Sequence, residues 1–311
     1  MISLELKSQI KNHATDSIGF DDCRFTDPFI EEYIENYRQW LSQDYHGEMD
    51  YLQNHLPLKE NPNNLLEGVQ TAIVLIKNYK NTLNKQLPQK NKIARYAVGQ
   101  DYHTIMREGL EKLCDFIEKQ LPEEKCYWGV DSRPIAERSL AIKAGIGFLG
   151  KNTMVIKPGK GSYFFIGVVF TTAKIQPDSP LQWDCGQCRI CLDACPTNAF
   201  PEPFKLDATK CLSYQTIEQK ETMTDNQLSK SKGWLFGCDI CQEVCPYNHE
   251  KTPMTNWKAF MPEAGVGFDF FDINDPASTK IPRNTPLYRS RKRVIPNWEE
   301  SISLSNECNF E

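Results

Sequence analysis

Eight of the twelve cysteines in this 311-residue sequence lie between residues 185 and 245, with the spacing of metal ligands. Residues 185–196 follow C-x2-C-x2-C-x3-C-P and residues 238–246 follow C-x2-C-x3-C-P, the run typical of bacterial two-cluster ferredoxins. In that arrangement, the cysteine before the proline ligates the other cluster. The spacing therefore predicts two 4Fe–4S clusters. The first is expected on Cys185, Cys188, Cys191 and Cys245, and the second on Cys195, Cys211, Cys238 and Cys241.

Two structural zinc sites are the alternative, because paired C-x2-C motifs also build zinc ribbons. Three cysteines in C-x2-C-x2-C register and two C-P endings are features that a zinc site does not need, so the pattern favours clusters. Disulfides are disfavoured in the reducing cytosol. The other four cysteines are scattered along the chain, and we predict that they are core residues: Cys23, Cys114, Cys126 and Cys308.

The composition is that of an ordinary globular protein, with 40% hydrophobic and 25% charged residues and a net charge of −5. This excludes collagen-like, low-complexity and wholly disordered chains. The longest apolar run, at residues 163–170, is far shorter than the ~20 residues that span a bilayer. The first residues also lack the apolar segment of a signal peptide. We therefore expect a cytoplasmic protein that is monomeric and has no membrane partner.

Alternating helical and extended segments precede the cysteines, and they must position any site that the clusters serve. Apolar residues at helical spacing predict three helices, near residues 4–13, 29–41 and 104–121. Apolar runs predict four strands, at residues 69–76, 126–130, 153–156 and 163–170. Turn residues between the last two strands predict that they pair as a hairpin. Such alternation is typical of an α/β or α+β layer domain.

Five segments with non-cysteine residues carry a more specific signal. They are residues 95–103 (RYA…DYH), 130–138 (VDSRPIAER), 144–153 (AGIGFLGKNT), 211–214 (CLSY) and 237–248 (GCDICQEVCPYN). Together these segments resemble, in order, the epoxyqueuosine reductase family, which completes queuosine synthesis on tRNA. The resemblance implies reduction of the epoxide of epoxyqueuosine at the wobble position, by cobalamin that two 4Fe–4S clusters re-reduce. It also implies a low-potential electron donor, which the sequence does not identify.

The resemblance further implies an α+β fold in three parts. Residues 1–175 would form a nitroreductase-like, reductive-dehalogenase-type domain for cobalamin and substrate. Residues 176–250 would form a ferredoxin-like domain with two clusters, and residues 251–311 a C-terminal extension with a basic stretch. The helical-repeat region that many members carry does not follow Trp298, so we expect tRNA to dock on other surfaces.

Asp131 is the proton donor that the resemblance implies. It follows the predicted strand at residues 126–130, and α/β sites open at the carboxyl ends of strands. A carboxylic acid that stays protonated at neutral pH needs burial against an apolar surface, which a corrin ring offers. The alternative role is an N-cap for a helix that starts near Pro134, although Ser132 is able to cap that helix instead.

Four further residues are candidates for contacts with cobalamin: Lys59, Lys151, Asn152 and Ser213. The cobalamin motif D-x-H-x-x-G is absent, because Met49 and Met106 stand where the glycine is required after His46 and His103. No motif histidine is therefore available as a lower ligand, and we expect base-off cobalamin. The two histidines are predicted to have structural or substrate-orienting roles.

Residues 276–298 contain six basic residues and no acid. Of these, Arg289, Arg291, Lys292 and Arg293 are candidates for contacts with tRNA phosphates. A solvated tail is the alternative.

Two other classes of protein remain as rivals. A cobalamin-dependent dehalogenase would act on haloalkenes instead of modified tRNA, and the missing export signal disfavours it. A non-catalytic electron carrier would hold iron but no cobalt. It is disfavoured because it does not account for the first 175 residues.

Overall fold

The computed structural model describes residues 1–81, 92–249, 252–267, 280–292, 295–297 and 299. Its helices and strands alternate along the first half of the chain and become short in the second half. In chain order they are α1 (Leu4–Asn12), β1 (Asp22–Thr26), α2 (Glu31–Ser42), α3 (Tyr51–Asn54), α4 (Leu56–Glu60), β2 (Thr71–Asn78), β3 (Lys92–Ile93), α5 (Tyr102–Gln120), β4 (Cys126–Gly129), α6 (Glu137–Lys143), β5 (Phe148–Leu149), β6 (Val155–Ile156), β7 (Phe164–Thr171), α7 (Ile190–Asp193), α8 (Leu212–Ile217), α9 (Asp225–Lys230), β8 (Trp234–Phe236) and α10 (Ile240–Glu243).

A four-stranded antiparallel sheet with the order β1-β2-β7-β4 is the centre of the fold. Side chains alternate across it, as the pleat requires. Ile73 and Leu75 of β2 pack with α1 and α5 on one face, whereas Val74 and Ile76 pack with α2 and α6 on the other. Helices cover both faces, so every residue of β2 is buried. Burial on both sides explains the continuous apolar run, and the predicted mixture of helix and sheet is confirmed.

The predicted hairpin of residues 153–156 and 163–170 is wrong. β6 pairs with β5, while β7 pairs with β2 along all eight of its residues and with β4 on its other edge. Only an isolated bridge between Lys157 and Gly161 remains at the predicted turn. β2 occupies one edge of β7 along its whole length, and β4 occupies the other edge at residues 168–171.

The three predicted helices are confirmed as α1, α2 and α5, each within a few residues of its expected ends. The edge strand β1 was missed, because its charged residues hide the apolar pattern. Asp22 is buried there and pairs with Lys157 (2.7 Å). Within the described ranges, no helix combines the length and hydropathy that crossing a membrane requires.

The cysteine-rich segment is joined closely to the sheet domain. β3 pairs in parallel with β8, although they lie on opposite sides of the predicted boundary at residue 175. Arg95 follows β3 and forms a buried ion pair with Asp239, between two of the clustered cysteines (3.2 Å, both side chains 2% exposed). The domain boundary itself remains a prediction.

Candidate functional site

A cavity of about 440 Å³ lies beside the start of β7 and the end of β4. Its apolar wall includes Val130, Ile135 and Phe165. The polar groups include six tyrosines and four charged residues, a mixture typical of a pocket for a large, partly polar ligand. They are Tyr33, Tyr37, Tyr51, Tyr79, Tyr96, Tyr102, Lys59, Asp131, Glu137 and Arg138.

Asp131 faces this cavity and belongs to a network that begins at the first turn of α5. Tyr102 Oη donates to Asp131 Oδ2 (2.6 Å), and His103 Nε2 lies 2.9 Å from the same oxygen. The other ring nitrogen, His103 Nδ1, lies 2.6 Å from Asp101 Oδ1. Asp101 is also the N-cap of α5 and accepts the His103 N–H. The helix cap therefore orients the imidazole between two carboxylates.

The contacts of the network favour a proton on His103 over one on Asp131. Desolvation raises the pKa of Asp131, but hydrogen bonds from His103 and Tyr102 outweigh it and leave this pKa below its ordinary value. Desolvation lowers the pKa of His103, but hydrogen bonds to Asp101 and Asp131 leave it raised. The Asp131 side chain is flanked by protein yet 58% exposed to the open cavity. The expectation of a protonated Asp131 is thus corrected: its neighbours stabilise the carboxylate.

The capping alternative for Asp131 is also wrong. α6 begins at Glu137, its N-cap is Ala136, and no side chain caps it. Asp131 lies five residues before that N-cap and has φ 51°, a left-handed conformation that non-glycine residues seldom adopt. Pro134 does not start the helix.

Glu137 is a site residue that the sequence analysis missed. Its Oε1 accepts the Asp131 backbone N–H (2.5 Å). Burial, followed by the nearby charge of Asp131, raises the pKa of Glu137 to about 8. An acidic residue in the first turn of a helix is common, because it complements the helix dipole, and so the sequence carried no signal for this contact.

The first predicted set of cysteines lines a second cavity, of about 230 Å³. All four thiols of that set border it, including Cys245 from the far end of the motif. Burial, together with the charges of the other three cysteines, raises the pKa of Cys191 to about 11. Thiols held in this way ionise readily only when a metal neutralises them.

The second set, Cys195, Cys211, Cys238 and Cys241, is also assembled. Burial raises the pKa of Cys238, and the charges of Cys211 and Cys195 raise it further. The pKa of Cys241 is also raised, by burial and by the charges of Cys238 and Cys211. Across the described part of the chain, no three His, Cys, Asp or Glu side chains converge closely enough for a single metal ion. The structure thus brings together the two predicted groups of four.

The four candidate cobalamin residues do not share one site. Lys59 lines the large cavity, with its Nζ 5.1 Å from the centre of the Tyr37 ring. Lys151 and Asn152 line the cysteine cavity instead, where Lys151 Nζ donates to the Gly186 carbonyl (2.8 Å) and Asn152 Nδ2 to the Cys241 carbonyl (3.2 Å). Ser213 is half-buried in α8, two residues after Cys211.

Tyr79 connects the large cavity to the cysteines. It borders the cavity, and its hydroxyl lies near the side chain of Gln242, the neighbour of Cys241. Tyr79 is 5% exposed and packs against Tyr163 and Phe165. A single buried side chain therefore lies between the large cavity and the cysteine-rich segment.

The basic candidates for RNA contacts have different surroundings. Arg289 lies against the His103 imidazole, with Nη1 3.0 Å from His103 Nε2. Arg291 folds over the ring of Tyr288 at 4.1 Å, and Lys292 is exposed. Arg293 lies outside the described residues. Arg289 was expected to contact RNA alone, and its proximity to His103 is a finding of the structure.

Comparisons with known proteins match both halves of the chain. Residues 184–248 match the family model of a 4Fe-4S double cluster binding domain, and residues 59–132 match that of the epoxyqueuosine reductase QueG. An epoxyqueuosine reductase from Cyclobacterium marinum is 37% identical over 276 residues, 86% of each chain. One from Pseudomonas aeruginosa is 37% identical over 242 residues, which cover 76% of this chain and 67% of the relative.

Solved structures agree with these matches. A crystal structure of epoxyqueuosine reductase with an epoxyqueuosine-modified tRNA stem loop has a TM-score of 0.83 at 27% identity, covering 96% of this chain and 81% of the other. The Bacillus subtilis enzyme, solved with its catalytic aspartate loop swung out of the active site, has the same TM-score at 26% identity and the same coverage. With this identity and this fold over most of its length, the chain belongs to the epoxyqueuosine reductase family.

Proposed function

We propose that this protein reduces the epoxide of epoxyqueuosine, at the wobble position of tRNA, to the alkene of queuosine. Cobalamin would occupy the large cavity, and the eight clustered cysteines would hold two 4Fe–4S clusters. One observation carries the proposal: the same cavity has the Asp131 proton network on its wall and Tyr79, next to the cysteine segment, on another. Protons and electrons thus have access to one ligand site.

The lining of the cavity fits cobalamin. Aromatic and aliphatic side chains offer an apolar surface for a flat macrocycle, and the tyrosine hydroxyls and Lys59 offer partners for its amides. Among the described residues that line the cavity there is no histidine, so base-off binding without a protein lower ligand is part of the proposal. When bound, the cofactor would supply low-valent cobalt, and the clusters would supply it with single electrons. The nitroreductase-like, reductive-dehalogenase-type domain belongs to the same proposal.

Removal of the epoxide oxygen breaks two C–O bonds, forms a C=C bond and releases water. The balance requires two electrons and two protons, of which the Asp131 network would deliver one and solvent the other. His103 Nε2 holds a proton that it donates to Asp131 Oδ2, and Asp131, which faces the cavity, can pass a proton to the departing oxygen. Tyr102 keeps the carboxylate in place from its other side. The chain's own contribution to the reaction is therefore a positioned proton.

The cysteine geometry supports clusters over zinc. Four thiols around a cavity of about 230 Å³ suit the corners of a cubane, whereas a structural zinc ion needs four thiolates about 2.3 Å from one point. We therefore propose the crossed ligation, with Cys245 in the first cluster and Cys195 in the second.

Anaerobically purified protein should contain about eight iron atoms and as much labile sulfide, because two cubanes use all eight cysteines. Replacement of Cys188 by serine should lower the iron content, whereas Cys126→Ser should leave it unchanged, since Cys126 lies on β4 outside both groups. Iron and sulfide assays measure both variants. Zinc at each cysteine group without sulfide would contradict the assignment.

We propose that the basic stretch contacts tRNA phosphates through Arg289, Arg291, Lys292 and Arg293. Replacing all four with glutamine should weaken tRNA binding and reduce its salt dependence, by ~0.7–0.9 in the log–log slope for each lost contact. Binding assays at several salt concentrations measure this slope. Lys112 and Lys119, exposed on the second half of α5, provide a matched pair whose neutralisation should leave the slope unchanged. If the fourfold variant keeps its affinity at low salt, the stretch is only a solvated tail.

A further inference from the structure

The loop that carries Asp131 has little internal structure. Residues 130–136 connect β4 to α6, and the backbone bond that the loop forms within itself runs from Ile135 N–H to the Arg133 carbonyl (2.7 Å). Asp131 and Ser132 are exposed, and Asp131 has φ 51°. A left-handed residue in an exposed loop keeps its conformation only if surrounding contacts hold it.

Glu137 provides such a contact from a rigid element. Its Oε1 accepts the Asp131 N–H (2.5 Å), which fixes the backbone of the residue in the strained conformation. Glu137 is the first residue of α6, and the buried Leu140 and Ala141 anchor that helix in the core. The helix does not use the Glu137 carboxyl group as a cap. The carboxyl group is thus free to hold the loop.

The surroundings of Glu137 suit an uncharged acceptor. Its carboxyl group faces Asp131 on the loop, Lys59 on α4 and Arg138 on α6. Burial and then the charge of Asp131 raise the pKa of Glu137 to about 8, which favours its neutral form at pH 7. A neutral carboxyl group accepts an amide hydrogen through its carbonyl oxygen, and it places no second negative charge beside the Asp131 carboxylate.

We propose that Glu137 is a positioning residue for proton delivery: by binding the Asp131 backbone, it keeps the Asp131 carboxylate within reach of Tyr102 and His103. The effect on catalysis rests on the proposed function, in which Asp131 passes the proton to substrate. The contact itself does not depend on that function.

Two substitutions of Glu137 test whether its role depends on the hydrogen-bond acceptor or on the ionisable carboxyl group. Glu137→Gln keeps a carbonyl oxygen in the same place, so its turnover should stay within about threefold of wild type. Glu137→Met has similar length but no acceptor, and its turnover should fall by ~10–100-fold, because small displacements of a reacting group are costly. The KM for tRNA should change less than twofold in both. Glu108→Met, at an exposed position of α5, serves as the control and should match wild type.

Hydrogen–deuterium exchange of the holoenzyme provides a readout that does not need turnover. Exchange in residues 130–136 should rise in Glu137→Met, remain near wild type in Glu137→Gln, and stay unchanged in the core strands of all variants. In an Asp131→Asn background, adding Glu137→Met should lower turnover little further, because the two residues act through one group.

Three results would overturn the proposal: normal turnover in Glu137→Met, no change in loop exchange, or equal losses in the Met and Gln variants. Fully additive losses in the double variant would likewise assign Glu137 a separate role. If the wild-type holoenzyme fails to convert epoxyqueuosine-containing tRNA, the proposed function fails instead, and the exchange data still decide whether Glu137 holds the loop. If Glu137→Met does not fold, Glu137→Ala tests the proposal in its place. Its expected loop exchange and turnover are the same as those of Glu137→Met.

Discussion

Asp131→Asn should lower turnover by ~10²–10⁴, the usual contribution of a positioned proton donor, while cobalamin, iron and tRNA binding remain normal. Asparagine has the same shape and can still accept the hydrogen bond from Tyr102. It cannot receive a proton from His103 and pass it on. Single-turnover conversion of epoxyqueuosine-containing tRNA measures the loss, and metal analysis of the same samples shows that the cofactors are intact.

The pH profile gives a second measurement of the same group. In the wild type, turnover should be high when His103 is protonated and should fall as pH rises through its pKa, which lies above the ordinary 6.5. Asp131 is one of the groups that raise this pKa, so the falling limb should move to lower pH in Asp131→Asn. Asp115→Asn, exposed on α5, is the control. Near-normal queuosine formation by the Asp131 variant would remove Asp131 from the mechanism.

Arg95→Met should lower the free energy of unfolding by about 3–5 kcal/mol, because it leaves the buried Asp239 carboxylate without its cationic partner. Arg95 donates to Asp239 through its backbone N–H (2.8 Å) and its guanidinium (3.2 Å), and to Glu243 (3.0 Å). Burial raises the pKa of Asp239, which shows how poorly its surroundings solvate the charge. These contacts join the segment before α5 to the cysteine motif, so the loss should also loosen the clusters.

Urea unfolding of the anaerobic holoprotein, followed by circular dichroism, measures this change. The matched control is Arg107→Met, because Arg107 pairs with Glu111 at 4.0 Å on the surface and both side chains are about half exposed. That variant should lose less than about 1 kcal/mol. Adding Asp239→Asn to Arg95→Met should recover part of the stability, since the unpaired charge is removed. Equal losses in the Arg95 and Arg107 variants would show that the buried pair contributes little.

Local sequence patterns were enough to predict several elements of the fold and the grouping of the cysteines. The cysteine spacing specified which thiols belong together, because the C-x2-C-x2-C-x3-C-P and C-x2-C-x3-C-P runs are read directly from the sequence, and the structure brings the two groups of four together. The periodicity of α5 and the apolar run of β2 identified their elements, since an amphipathic helix and a doubly buried strand each have a recognisable pattern. The motif segments pointed to the family that the comparisons confirm.

The tertiary structure decided what depends on distant residues meeting. β7 pairs with β2 and not with β6, a contact between residues about 90 positions apart in sequence that turn residues at 157–162 do not reveal. His103, Glu137 and Arg289 reach Asp131 from three separate segments, and only packing brings them within hydrogen-bond or charge range. The location of the proton was decided in the same way. A pKa depends on every neighbour in space, so the choice of His103 over Asp131 required the folded protein.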